Sequence, residues 1–188
     1  MFEYGRDQFR GDGFQVDSKC FYLVLALIYR RLAGLRVAGL LIPGELDLVT
    51  PPASSIVIGE KEWVAWWYEL LAIQAAGELP LPSIAAVGEL TKLEADHRRT
   101  TKPIMQQWEN QTSAKASAIG MLGDVCYDIA VNRQIPGVGM VSICVLPVRD
   151  IGPLAQGQTI ILPLRWLADV DSEECRLTVL SLSRGLRA

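Results

Sequence analysis

Apolar residues recur at helical spacing through the first two thirds of the chain and at strand spacing through the last third. From Cys20 to Leu32 nearly every position is apolar. Asp17 or Ser18 supplies an N-cap and Gly34 a stop, so the pattern predicts a first helix buried on several sides. Between Val37 and Gly59, short apolar runs are broken by Pro43, Gly44, Pro51 and Pro52, which predicts one or two short strands, the better one over Ser55 to Ile58.

Gly59 then opens a second helix running to about Ala76 and stopped by Gly77. Glu60 and Glu62 in its first turn complement the helix dipole. Within it Trp63, Trp66, Trp67, Leu70 and Leu71 fall at i, i+3, i+4, i+7 and i+8, which is one apolar face. That stripe reads first as core and second as a contact surface. Its partner is either the chain's own first helix or a neighbouring subunit.

Ser83 caps a predicted third helix over Ile84 to Arg98, and Pro103 fits the first turn of a fourth, from about Ile104 to Asn132. In the fourth, Ile104, Trp108, Gln111, Lys115, Ala118, Leu122, Val125 and Ile129 keep the spacing of a heptad seam, with polar residues at its middle. Gly120 and Gly123 mark close packing, a kink, or two helices in place of one.

After Gly137 the texture turns to β. Met140–Val148, Gln158–Arg165 and Cys175–Ser183 read as three strands of an antiparallel meander, with Pro147 and Pro163 on edges or bulges. The last run breaks parity, since Cys175, Leu177 and Val179 share one face and Leu180 and Leu182 take the other. The fold class is therefore α+β, with a helix-rich N-terminal two thirds and a C-terminal antiparallel β-meander of about three strands. Residues 1–16, rich in glycine and without periodicity, read as an N-terminal arm. Residues 17–188 read as a single α+β domain, helical over 17–132 and β-rich over 137–183.

Composition adjusts this picture in three ways. At 188 residues, half of them hydrophobic and 21% charged, the chain has a large core and little surface charge to spare. A net charge of -3 announces no basic face for nucleic acid. Cys20, Cys126, Cys144 and Cys175 are far apart and form no metal-binding spacing, so they read as free, buried thiols of a protein made in a reducing cytoplasm. The run from Cys20 to Ile42 is long enough to cross a membrane. Arg30, Arg31 and Arg36 at mid-depth argue against that, and no membrane partner is expected.

Candidate chemistry is sparse. The common phosphate, dinucleotide, hydrolase and zincin motifs are missing. The single histidine, His97, has in Asp96 a neighbour that points elsewhere on a helix. No catalytic residue and no cofactor follows from these observations. Asp169, Asp171 and Glu173 have the alternate spacing by which a loop presents oxygens to a hard cation, and are the candidate metal ligands. Arg98, Arg99 and Lys102 form the candidate basic patch, whose bland reading is a solvated helix end. Trp63, Trp66 and Trp67, with Phe9 and Phe14 from the arm, are the candidate interface residues.

These features favour an assembly subunit that self-associates into a homo-oligomer and binds neighbouring structural proteins. By analogy of size and make-up alone it resembles a connector, neck or tail-terminator subunit of a viral (phage) head-tail particle. The alternatives are a divalent-metal-dependent enzyme using the acidic run, and a nucleic-acid-binding accessory module using the basic patch.

Overall fold

The computed structural model describes residues 13–37, 45–50, 56–76, 85–132 and 140–186. The chain enters as strand β1 (Phe14–Asp17) and continues into helix α1 (Phe21–Leu32). Strand β2 (Glu45–Leu46) and helices α2 (Glu60–Ala76), α3 (Ala85–Ala114) and α4 (Ala116–Val131) follow. The last third holds strands β3 (Val141–Leu146), β4 (Val148–Arg149), β5 (Leu154–Gln156) and β6 (Thr159–Pro163), then helices α5 (Leu164–Asp169) and α6 (Ser172–Gly185). The protein is α+β, helix-rich around a small mixed sheet.

The expected cap of α1 is displaced: Cys20, and not Asp17 or Ser18, is the residue before the helix and caps nothing with its side chain, while Asp17 Oδ1 accepts the Lys19 and Cys20 N–H groups at 2.8 and 2.9 Å and holds the turn that leads into α1. Other local signals act as expected. Gly34, at φ +66°, closes that helix in the left-handed region where a side chain is disfavoured. The Glu62 carboxylate reaches back to the Gly59 N–H, so the start of α2 satisfies one of its own donors. Gly77, Ser83, Ser55 and the prolines at 43, 51 and 52 lie outside the described residues, as do residues 1–12 of the arm.

The sheet is where the sequence expectation changes. Its strand order is β1-β3-β6-β5, with β1 and β6 parallel to β3 and only β5 antiparallel to β6. The expected antiparallel meander is thus a mixed sheet, and its third strand does not exist. Residues 175–183 belong to α6, where Cys175, Val179, Leu180 and Ser183 are buried at helical spacing. The parity break in the sequence was a helical period. Residues 13–16 are not arm either. Phe14 is buried, and β1 completes an edge of the sheet through register with Val141 to Cys144.

Ile56 to Ile58 keeps a strand-like alternation of burial, with Val57 exposed between two buried isoleucines, yet it pairs with nothing among the described residues. Pro163 ends β6, an interior strand, and hands directly into α5. Buried Pro147 separates β3 from β4, which swings away to pair with β2 through an Arg149–Glu45 contact of 2.7 Å.

The expected single helix over Ile104–Asn132 divides at Lys115, which leaves helical geometry at φ −111° and ψ 21°. Just before it, Thr112 and Ser113 return their hydroxyls to the Trp108 and Glu109 carbonyls, a competition with the helix ladder that bends helices. The polar middle of the seam is therefore a break. Gly120 and Gly123 lie inside α4, and a side chain at either would meet open space, so neither marks close packing. The expected boundary between the third and fourth helices is instead a kink at His97 inside α3, and Pro103 lies within the continuing helix.

β3 and β6 are buried at every residue, so helices cover both faces of the sheet. One group is α1, α2 and α3; the other is α4, α5 and α6. The face under α2 carries a polar row across all four strands, because Gln15, Ser142, Thr159 and Gln156 stand in register. α2 satisfies much of that row. Trp67 Nε1 donates to Gln156 Oε1 at 3.1 Å, and Thr159 donates to the Leu71 carbonyl. The Ser142 hydroxyl is buried without a partner among the described residues.

All four cysteines are buried thiols. Burial pushes Cys175 up to about 11 from an ordinary 9.0 and drives Cys20 and Cys126 upward as well. A raised folded-state pKa means the native protein holds protons that the unfolded chain releases. The resulting stability is complete below about pH 9 and is lost as pH rises through the folded values. Urea midpoints in reducing buffer are expected to fall between about pH 9 and 11. A midpoint that rises over that interval contradicts this assignment.

Candidate interface

Each described residue singled out by sequence has a definite place. Trp63 and Trp67 are fully buried and stack on one another, with centroids 5.5 Å apart and planes at 13°. The Trp63 indole N–H donates to the Ala26 carbonyl of α1 at 2.7 Å, and the Arg30 guanidinium sits 5.4 Å from its ring. Trp66 is buried alongside. The stripe's partners are thus the chain's own first helix, met by Trp63, and its own sheet, met by Trp67 through Gln156, and these three tryptophans with Phe14 are core residues instead of interface residues. Phe9 lies outside the described residues.

The acidic run starts a helix. Asp171 is the N-cap of α6, its Oδ1 accepting the Glu174 N–H at 2.8 Å, and Glu173 pairs with Arg176 at 2.7 Å. That guanidinium holds the Glu173 carboxyl below its usual range. Asp169 is exposed at the end of α5. Among the described residues no cluster of three or more metal-binding side chains occurs, and of these acids Asp171 acts as a cap and Glu173 as an ion-pair partner. Asp171→Ala is expected to cost about 1 kcal/mol, while Asp171→Asn, which keeps the acceptor, costs a few tenths. Chemical denaturation distinguishes the two, and equal losses would remove the capping role.

Arg98, Arg99 and Lys102 are exposed on α3 just past the kink, and Arg98 approaches Glu94 at 3.7 Å. The helix continues to Ala114, so this is mid-helix surface and not a helix end. At the kink the half-buried His97 ring meets Tyr29 edge-on at 6.4 Å. The Tyr29 hydroxyl is buried beside Thr101 without reaching hydrogen-bond geometry, and Thr101 donates its own hydroxyl to the His97 carbonyl at 3.3 Å. Burial, reinforced by the Glu94 and Asp96 charges, keeps this phenol protonated. Neutral and enclosed, it is a packing group and not a base.

What sequence reasoning missed is the outer side of the α4–α6 pair. On α4, Tyr127 and Val131 stand one turn apart at 54% and 59% exposure, and Leu177 on α6 is exposed at 56%. Arg176, Leu177, Leu180, Ser181 and Arg184 border a shallow depression there. The two helices pack directly on each other and bury Cys126, Ile129, Cys175 and Val179 on their inner sides. Tyr127 and Val131 are off the heptad seam, which is how the signal was present in the sequence. Leu177 was hidden by the strand reading of its segment.

Between β2 and α2, Val49 and Val57 are 78% and 94% exposed. No helix among the described residues is long and apolar enough to cross a membrane. Comparison with protein-family models, with curated proteins and with solved structures finds no match to this chain.

Proposed function

We propose that the chain is a structural assembly subunit that associates with copies of itself through the outer face of α4 and α6, and with neighbouring structural proteins. The observation that carries this reading is the exposure of Tyr127, Val131 and Leu177 on two packed helices, in a chain otherwise economical with surface charge. Large apolar side chains left exposed on a packed helix pair are candidates for burial against a partner. A ring needs two different complementary patches on each subunit, and the exposed Val49 and Val57 are the candidates for the second. A connector, neck or tail-terminator role in a viral particle fits such a ring, and remains an analogy of size and architecture.

The test is a charge placed in the patch. Val131→Glu with Leu177→Glu is expected to weaken self-association at least tenfold, or about 1.4 kcal/mol. Both side chains are exposed, so folding stability should stay within about 0.5 kcal/mol per site. Sedimentation velocity over a concentration series reads the first quantity and urea denaturation the second. Unchanged association in a folded double variant would remove this face from the assembly.

A further inference from the structure

Cys20 is the residue before α1, and Cys144 lies in the interior of β3. Parallel register sets Cys144 opposite Asp17, three residues before Cys20. The turn held by Asp17 puts Cys20 at φ 36° and ψ 44°, left-handed backbone that a non-glycine residue adopts only under constraint. This conformation folds the thiol back on the strand it has just left. Its Sγ lies 2.9 Å from the carbonyl oxygen of Asp17, the residue paired with Cys144, and strand alternation sets Cys144 on the same sheet face as Ser142, the face under α2. Of the three pairings open to four cysteines for a bond at Cys20, this geometry favours one.

We propose that Cys20 and Cys144 form a two-electron thiol–disulfide site gated by strand β1. The oxidant is a small disulfide of the oxidised-glutathione class. One protein thiolate attacks it, releasing a first reduced glutathione. The second protein thiol then displaces the other, forming the Cys20–Cys144 bond. The protein loses two electrons and two protons, and the two glutathione molecules carry them away. Both thiols are buried, and a buried thiol is a poor nucleophile, so the folded centre is closed to exchange. Among the described residues β1 is a four-residue edge strand, and exchange at the two sulfurs takes place when β1 opens locally, short of global unfolding. The bond then fixes the α1 turn to the sheet interior.

The experiment incubates the full chain with oxidised glutathione, in buffer and in urea below the unfolding transition. Samples are quenched, alkylated under denaturing conditions, digested and mapped by mass spectrometry. A cystine joining Cys20 to Cys144 is expected, accumulating several-fold faster in the urea samples. The oxidised protein should unfold at higher urea and revert with dithiothreitol. Cys126→Ser with Cys175→Ser should give the same cystine, and the wild-type map decides alone if that variant does not fold. Recovery of Cys20 or Cys144 bonded to Cys126, Cys175 or glutathione overturns the proposal. So does finding both still free after prolonged exposure in urea.

Discussion

Trp63→Ala is expected to destabilise the protein by about 3–5 kcal/mol, a large share of the ~5–15 kcal/mol that holds an ordinary domain together. Three contributions converge on this side chain. It is fully buried, it stacks on Trp67, and it donates to the Ala26 carbonyl. Burial dominates, because a net hydrogen bond contributes only about 0.5–1.5 kcal/mol. Trp63→Phe keeps most of the apolar volume and the ring stack while losing the N–H donor, so it should cost less than half as much. Urea denaturation followed by far-UV circular dichroism separates the two. A loss below about 1 kcal/mol for the alanine variant would mean that the indole faces something other than the chain's own core.

The second large effect concerns residues that the sequence assigned to an arm. Phe14→Ala should cost about 3 kcal/mol or more, since the ring is nearly fully buried and anchors β1 beside β3. An arm residue would cost within about 0.5 kcal/mol. Gly13 supports the strand assignment independently. At φ +148° it accepts the Val141 N–H at 2.8 Å, and a side chain there would meet Ala130 of α4 at 3.2 Å. Equilibrium unfolding of Phe14→Ala decides between strand and arm.

Elements whose signals are local were legible in the sequence. α2 has the expected bounds because its acidic first turn and its apolar stripe lie within the helix itself. α1 ends at Leu32 as expected for the same reason, with Gly34 two residues beyond. β1 was not legible, because only pairing with β3, far along the chain, makes four residues into a strand. The polar row under α2 was hidden likewise, since Gln15, Ser142, Thr159 and Gln156 meet only through register.

α6 is a different case, with its start signal in plain view. Asp171 followed by Glu174 at the third position is a helix-opening pattern that overlaps the alternate acidic spacing of a cation loop. The stripe Cys175, Val179, Ser183 is helical too, but it ends in a serine whose hydroxyl is satisfied by the Val179 carbonyl at 2.7 Å. A polar residue in a core position concealed the period. Once that segment is a helix, Leu177 moves from a strand face to the outer surface beside α4, and the candidate interface comes into view.

Self-association is read from the mass in solution. Size-exclusion chromatography with light scattering, run over a range of concentrations, should give a multiple of the 20.7 kDa chain mass. A constant 20.7 kDa at every concentration would contradict the account.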